Sequence, residues 1–529
     1  MNILSPISCL TIVPLLGAIA VLALGAKSKR MARGLALAFA FLALAITLVL
    51  WHRFNPISGG LQFEEVHAWI PVLGVQYHVG VDGLGLLMLM LSAIVVPMAM
   101  AASWQIQERV SLYFALMLML EAGLFGTFTA LNFFHWFLFW ELSLIPAFFL
   151  IRLWGGSERA AAATQFFLYT MVGSVALLLA FLAIFLCTGK FDFMDLAEMA
   201  RNGQLLPALA AISDWHRFTA EKVALVLCFG VFLGFAVKVP LVPFHTWLPA
   251  AYAEAPTGTT MLLTGTMSKM GVYGFLRILL PIFCVQLRLV RTPLLWIAVA
   301  TIVLSAYAAL AQRDLKRIFA YSSINHLGYC MLGIFSILKF TGENPSLANE
   351  KAAALNGVFL QMFNHGLTAA TLFWFVALLE KRSAGLRGLD DFGGLRKVVP
   401  VLCGLMGIAL FSSLGLPGLN GFVGEFLIFK GTFPLATWPA SVSVLGLLLT
   451  AIFILTILQR VFSGPLQERW SQMPDLTVGE RLALLPAIAL MFVLGLYPQL
   501  VLGVINSTAM QMVQQLRFST KMFGNRSRF

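Results

Sequence analysis

A lysine lies inside an apolar run of this chain, next to residues that should interrupt a helix. The stretch 235–249 reads FAVKVPLVPFHTWLP, and Lys238 shortly precedes Pro240 and Pro243 within it. Proline removes a backbone donor and clashes with the preceding turn, so the helix should break just after the lysine. A lysine can bind and release a proton as its surroundings change. We therefore take Lys238 as a candidate proton carrier; its alternative is a lysine that snorkels to an aqueous surface.

Two further ionisable residues lie in apolar runs of the same kind. Glu141, in FHWFLFWELSLIPAFFL, is the expected counter-ion for Lys238, and its alternative is an acid kept neutral by apolar surroundings. At about 4 Å and an effective dielectric constant near 20, such a pair is worth roughly 4 kcal/mol. Lys269 shares a helix face with Tyr273 and Arg277, which follow at four-residue intervals. We expect Lys269 to carry protons and Arg277, near the end of its run, to anchor the helix.

A second apolar run is interrupted in the same way. It contains LPGLNGFVGEF, in which Glu425 follows the expected break just as the lysine precedes the first one. His326 and His365 also lie within apolar runs, and each is a candidate proton relay or a hydrogen-bonding residue between helices. His245 and Glu121 are weaker candidates, functional or structural.

The composition defines the environment of these residues. Sixty per cent of the chain is hydrophobic, only 11% is charged, and the mean hydropathy is +0.89, whereas soluble domains have about 25% charged residues. The chain is therefore an integral membrane protein. A charge at the centre of a bilayer costs about 2.5–3.5 kcal/mol, so the buried charges are functional candidates.

Other kinds of function are disfavoured. The net charge of +12 comes from short clusters between apolar runs, which is typical of topology signals and not of a nucleic-acid surface. The six cysteines are scattered, with no C-x-x-C pair, so neither an iron–sulfur site nor a disulfide framework is predicted. We find no P-loop, no G-x-G-x-x-G and no His/Cys metal cluster, so the chain has no predicted metal, hydride-transfer or electron-transfer site.

A helix needs about 20 apolar residues to cross a bilayer, and the sequence predicts an all-α protein with about 14 such helices. The predicted spans are 4–25, 34–51, 84–103, 111–130, 132–152, 164–187, 223–249, 256–283, 292–310, 315–338, 353–380, 399–429, 440–462 and 480–506. Two interrupted spans, the seventh and the twelfth, are the expected trace of an inverted repeat. We predict one membrane domain within 1–529, made of N-terminal helices (1–110), a first repeat of helices 4–8 (111–283), a second repeat of helices 9–13 (292–462), and a last helix with a basic tail (480–529).

Loop charges predict the orientation. With the N-terminus outside, most loop lysines and arginines lie on the cytoplasmic side, as the positive-inside rule requires. The basic tail, with Arg517, Lys521, Arg526 and Arg528, falls outside and opposes the rule. The stretch FDFMDLAEMA, in the largest loop, is expected to form a short amphipathic helix along the surface.

At these residues the sequence resembles the antiporter-like subunits of respiratory complex I, and most closely the chain M type. The resemblance is strongest from about residue 80 to residue 430. The stretches that carry it are VDGLGLLM, FWELSLIPAFFLI, FAVKVPLVPFHTWLP, EAPTGTTMLLTGTMSKMGVYGFLR, AQRDLKRIFAYSSINHLGY, MFNHGLTAA and LPGLNGFVGEF. Glu425 favours chain M, because the related chains L and N resemble each other in having lysine there. The chain departs from the family's WLPDAH at Ala250 and Tyr252.

The resemblance implies a fold and roles. It implies 14 transmembrane helices with helices 7 and 12 discontinuous. It also implies proton translocation by the residues that match the family's positions: Glu141, Lys238, Lys269, His326, His365 and Glu425.

The implied protein is a subunit of a proton-translocating NADH:quinone oxidoreductase in the bacterial plasma membrane. NADH, FMN, iron–sulfur clusters and quinone would belong to partner subunits, with no cofactor in this chain. Its partners would be the other membrane subunits of the complex, especially the related antiporter-like ones, and the lipid bilayer. The alternatives are a subunit of an Mrp-type Na⁺/H⁺ antiporter, a membrane-bound hydrogenase subunit, or a scaffold that no longer pumps.

Overall fold

The computed structural model describes residues 5–216, 219–340 and 344–518. The helices of the first part are α1 (Pro6–Leu24), α2 (Lys29–Arg53), α3 (Gly83–Ala102), α4 (Val110–Thr129), α5 (Phe133–Trp154), α6 (Arg159–Thr188), α7 (Phe193–Arg201), α8 (Leu205–His216), α9 (Ala220–Lys238) and α10 (Trp247–Glu254). The predicted span 256–283 follows as α11 (Thr257–Leu262), α12 (Ser268–Gly274) and α13 (Leu280–Ile282), joined by π-helical turns at Leu263–Met267 and Phe275–Leu279.

The second part is helical as well. Its helices are α14 (Cys284–Leu289), α15 (Arg291–Ala311), α16 (Leu315–Ser336), α17 (Pro345–Arg382), α18 (Pro400–Leu414), α19 (Asn420–Leu435), α20 (Thr437–Ile457), α21 (Val478–Leu496) and α22 (Gln499–Phe518). Within the described ranges, 11 helices are long and apolar enough to cross a bilayer. The all-α membrane fold is thus confirmed, while the count of fourteen spans and the two inverted repeats stay predictions.

Both expected helix breaks are present. Helix α9 ends at Lys238, and α10 begins only at Trp247, so residues 239–246 separate the two halves of this span. Likewise α18 ends at Leu414, Gly415 adopts a left-handed conformation with φ of 82°, and α19 begins at Asn420. The prolines and glycines of these stretches explain the breaks, since proline lacks the N–H of a continuing helix and glycine tolerates positive φ.

One predicted span was wrong, and one hairpin was not predicted. The last span, expected over 480–506, is divided into α21 and α22, because the chain leaves helical geometry at Tyr497 before Pro498. The loop before α3 contains an antiparallel hairpin of β1 (Gln62–Ile70) and β2 (Val75–Val81) that the sequence analysis did not predict. Gly74, with φ of 63°, closes its turn.

Helix α17 lies at the centre of the bundle. All residues of the most apolar 18-residue stretch of α17 are buried inside the protein, whereas only 28% are buried in the corresponding stretch of α2. Its closest neighbour is α19, and the two backbones nearly touch: a Cβ on Gly357 would lie 2.5 Å from the backbone nitrogen of Ile428. Such approaches through small residues are the usual way for helices to pack in lipid. Candidate residues on α17 and α19 are therefore held close together.

Ion pairs connect neighbouring elements at both ends of the bundle. At the end that carries the basic loops, called the basic end here, Lys316 pairs with Glu380 at 3.3 Å and Arg387 pairs with Asp314 at 2.5 Å. Arg387 also donates to the carbonyl of Ala253 at 2.9 Å, so it joins α10 to the start of α16.

At the opposite end, His78 of β2 lies between Asp192, at 2.5 Å, and Glu64, at 2.8 Å. Burial by itself lowers the pKa of His78, but the hydrogen bonds and charges of the two carboxylates outweigh it and raise that pKa. Asp192 in turn caps α7, which matches the amphipathic helix expected from FDFMDLAEMA. Of the basic tail residues, Lys521, Arg526 and Arg528 lie outside the described residues, and so does the loop residue Arg217.

Candidate functional site

Lys238 is buried at the C-terminal end of α9. Its side chain is 3% exposed, and its ammonium nitrogen lies 4.7 Å from the ring centroid of Trp140. A cation over an indole face is stabilised by about 0.5–2 kcal/mol, and the larger value applies where water is excluded. The lysine is therefore held inside the bundle and does not snorkel to the surface.

Glu141 does not contact this lysine. No ion pair within 4 Å joins the two residues in the described part of the chain, although Glu141 is the carboxylate that acts electrostatically on Lys238. Neighbouring residues on a helix point about 100° apart, so a lysine over Trp140 does not also touch Glu141. The expected counter-ion is thus present at a distance, and its Oε1 is buried without a hydrogen-bond partner among the described residues.

Lys269 is completely buried beside a π-helical turn. It is 0% exposed and donates to the carbonyl of Thr264, which lies inside that turn. Its Nζ also lies 3.3 Å from the hydroxyl of Ser268 and 2.8 Å from Nδ1 of His365 on α17. Since π-turns leave carbonyls outside the regular helical ladder and are frequent at functional sites, this turn gives the ammonium a fixed position facing α17.

His365, His326 and Glu425 continue the contacts away from Lys269. The imidazole rings of His365 and His326 have centroids 5.1 Å apart, and Nδ1 of His326 lies 2.8 Å from Oε1 of Glu425. Gln361 donates to the same carboxylate oxygen at 3.1 Å, and Ser413 lies 3.3 Å from Nε2 of His326. Lys269, His365, His326 and Glu425 thus form one lateral row, called the charged row here, that crosses α12, α17, α16 and α19.

The structure separates the remaining candidates from the charged row. Arg277 pairs with Asp82 at 2.5 Å, and Asp82 caps the start of α3, which fits the expected anchoring role. His245 lies in the segment between α9 and α10, and no hydrogen bond or ion pair among the described residues joins it to another candidate. Glu121 is buried in α4, and neither of its carboxylate oxygens has a hydrogen-bond partner among the described residues.

Several residues of the site were not predicted from the sequence. Trp140, Thr264, Gln361 and Ser413 all contact candidate side chains. A signal existed for Gln361, which precedes His365 by four residues and so lies on the same helix face. No comparable spacing marks the other three residues.

A polar cluster holds the break of the second interrupted span. Ser412 donates to Oδ1 of Asn420 at 2.5 Å, and Asn364 donates to the carbonyl of Asn420 at 2.7 Å. Thr368 lies 3.0 Å from the hydroxyl of Ser412. These groups satisfy backbone and side-chain atoms that the break exposes inside the bundle, as membrane burial requires.

Gly421→Ala should disrupt this break. A Cβ at Gly421 would lie 1.9 Å from the carbonyl oxygen of Ser412, so α18 and α19 would have to move apart. Gly404→Ala, in α18, is the matched control, because a Cβ there meets no atom within 4 Å, and alanine in a helix is favoured over glycine by about 1 kcal/mol. We expect a lower midpoint of thermal unfolding for Gly421→Ala and an unchanged or higher one for Gly404→Ala. Equal midpoints would contradict the packing described here.

Buried charges beside two broken helices, inside a bundle of apolar helices, are the features of an ion-translocating membrane protein. The chain belongs to the family described as NADH:quinone oxidoreductase/Mrp antiporter, whose model matches residues 130–452. This result confirms the predicted family.

Comparisons with individual proteins agree. The chain is 36% identical over 514 residues to NADH-quinone oxidoreductase subunit M of Rhodobacter capsulatus, covering 96% of each chain. A chain of respiratory complex I from Thermus thermophilus, solved with bound NADH, superimposes with a TM-score of 0.82 at 26% identity, over 96% of this chain and 99% of that chain. A chain of the Mrp complex from Dietzia sp. shares the fold, with a TM-score of 0.78 at 21% identity, over 97% of this chain and 100% of that chain.

Proposed function

We propose that this chain is the proton-translocating, antiporter-like membrane subunit of an NADH:quinone oxidoreductase in a bacterial plasma membrane. The observation that carries the proposal is the charged row, in which groups able to bind protons meet at hydrogen-bond or ring-contact distances across the bundle. Relatives named as subunit M of this enzyme support the choice of complex.

Each residue has a stated part in this proposal. The first repeat, residues 111–283, contains Glu141, Lys238 and Lys269, and the second repeat, residues 292–462, contains the rest of the row. Lys238 binds a proton next to the helix break, and Glu141 sets how tightly it is held. Lys269 gives its proton to Nδ1 of His365. His365 passes a proton to His326 across their ring contact, and His326 passes one from Nδ1 to Glu425, which releases it beside the second break.

The redox reaction takes place elsewhere in the proposed complex. NADH, FMN, the iron–sulfur clusters and quinone belong to partner subunits, and this chain supplies the proton-carrying part of a translocase. The driving force reaches it through neighbouring antiporter-like subunits. A movement of the half-helices that flank the breaks at 239–246 and 415–419 would alter the surroundings of Lys238 and Glu425 and so their proton affinity.

Two alternatives remain within the same family. The family description includes the Mrp antiporter, and a membrane-bound hydrogenase would use a similar subunit. In both cases the charged row would carry ions for a different driving reaction.

The partner chains decide between these assignments. We expect the tagged chain, purified in mild detergent, to bring with it the redox subunits of a quinone reductase, as identified by mass spectrometry. Quinone reduction by NADH in the same preparation would support the proposal. Several small antiporter subunits without redox partners, or a hydrogenase subunit, would contradict it.

A further inference from the structure

Glu121 is a buried acid that the proposed route does not use. It lies in α4, is 0% exposed, and neither of its carboxylate oxygens has a hydrogen-bond partner among the described residues. Glu425, by contrast, accepts hydrogen bonds from two side chains. An ionised carboxylate without a partner is very costly in an apolar interior, so Glu121 rests there as a neutral acid that carries a proton.

Glu121 lies on the side of α4 that faces the span formed by α11–α13. The hydroxyl of Tyr113 lies 3.4 Å from that of Thr259, a sequence separation of 146 residues. The hydroxyl of Tyr273 donates to the carbonyl of Phe128 at 3.0 Å, a separation of 145 residues, and the two rings are 5.2 Å apart. Because the two separations nearly agree, α4 and this span run parallel and side by side.

The same register gives the depth of Glu121. It precedes Phe128 by seven residues, close to two turns of about 3.6 residues each, so the two side chains share a face of α4. Residues of α4 lie beside residues of the span formed by α11–α13 that follow them by about 145 positions, so Glu121 lies level with Thr266. Thr266 precedes Lys269 by less than one turn, on the side of the basic end. The ammonium of Lys269 reaches back to the carbonyl of Thr264, so Glu121 and this ammonium lie at about the same depth in the bundle.

A buried hydroxyl cluster lies between Glu121 and the basic end. Tyr113 contacts Ser103 at 2.9 Å as well as Thr259, and all three side chains are buried. The residue after Ser103 is Trp104, which is 46% exposed. Hydroxyl groups both donate and accept, so this cluster can pass a proton inward from the surface at Trp104.

We propose that Glu121 is the acid that loads Lys269 with protons from the basic end. This inference rests on the proposed function, in which Lys269 begins the charged row. The carboxyl O–H of Glu121 breaks, its proton reaches the neutral amine of Lys269 by way of intervening water, and an N–H bond forms. The resulting carboxylate takes a new proton from the aqueous side through Tyr113 and its neighbours, so no proton is gained or lost.

A purely structural acid would behave differently from a proton carrier. Leaving a buried polar group without a partner costs about 1–3 kcal/mol, so an apolar side chain of similar size should be more stable at this position. Glu121→Leu should therefore raise the midpoint of thermal unfolding whether or not the acid carries protons. The effect on pumping separates the two roles.

The test uses the whole purified complex in proteoliposomes, with proton translocation and NADH oxidation measured together. We expect Glu121→Gln and Glu121→Leu to lose most translocation, and Glu121→Asp, which keeps an acid, to retain it. Glu108→Gln is the matched control, because it removes one exposed carboxylate just before α4. Redox-induced infrared difference spectra should also lose a protonated-carboxyl band in Glu121→Gln.

The outcomes are separable. Normal translocation in Glu121→Gln, with no change in the infrared spectra, overturns the role of Glu121, provided that Lys238→Ala does not pump. If Lys238→Ala also pumps normally, the proposed function itself fails. If Glu121→Gln does not assemble, the translocation by Glu121→Leu and Glu121→Asp decides in the same way.

Discussion

We expect Lys238→Ala to abolish proton translocation while the complex still assembles. This is the largest effect that we expect from a single substitution. The variant removes the cation at the first helix break and leaves Glu141 without the charge on which it acts. Assembly should survive, because losing the contact with Trp140 costs about 0.5–2 kcal/mol while the cost of burying a charge disappears.

Translocation and assembly are measured separately in this experiment. Proteoliposomes report proton uptake with a pH-sensitive dye, and native gels report the size and yield of the complex. Lys222→Ala is the matched control, since it removes an exposed lysine from the opposite end of the same helix. Normal pumping by Lys238→Ala would overturn the proposed function. It is also the result expected if the chain were a scaffold that no longer pumps.

Glu425→Gln should have the second largest effect. The amide has nearly the same shape as the carboxylate, and its oxygen can still accept hydrogen bonds from His326 and Gln361. What is lost is the negative charge and the ability to bind and release a proton. We therefore expect translocation to stop. The midpoint of thermal unfolding should change little, because a side chain of the same size and shape leaves the packing unchanged.

A control between the same two helices makes this result specific. Glu350 of α17 pairs with Lys430 of α19 at 3.0 Å, away from the charged row. Glu350→Gln thus removes one carboxylate between α17 and α19 without touching the row, and it should pump normally. Equal losses in both variants would show that Glu425 acts through general packing or charge and not as a proton carrier.

Much of this architecture could be predicted from the sequence because lipid imposes strict rules. Apolar length predicted the helices, and proline and glycine predicted both breaks, since freed backbone groups are rare inside a bilayer. The hairpin of β1 and β2 was missed because it lies outside the apolar runs, where these rules do not apply. Its strands mix charged and apolar residues without a regular alternation, as in QFEEVHAWI.

The charged row shows what the sequence could not provide. Each of its residues was a candidate because a buried ionisable group is costly. Their contacts could not be predicted, because Lys269 and His365 are 96 residues apart and His326 and Glu425 are 99 apart. The pairing of Lys238 with Trp140, and not with Glu141, likewise depends on which face of α5 turns toward α9, and the sequence does not determine that face.

The lateral direction of the charged row has an electrical consequence. Lys269 lies near the middle of the span formed by α11–α13, His326 lies near the middle of α16, and Glu425 follows a mid-span break. A proton that moves along the row therefore stays at one depth, where the transmembrane voltage does no work on it. Moving a charge across the full potential takes about 2.3 kcal/mol per 100 mV. That work falls entirely on the vertical steps at the two ends of the row, so membrane voltage should slow loading and release and leave transfer along the row unaffected.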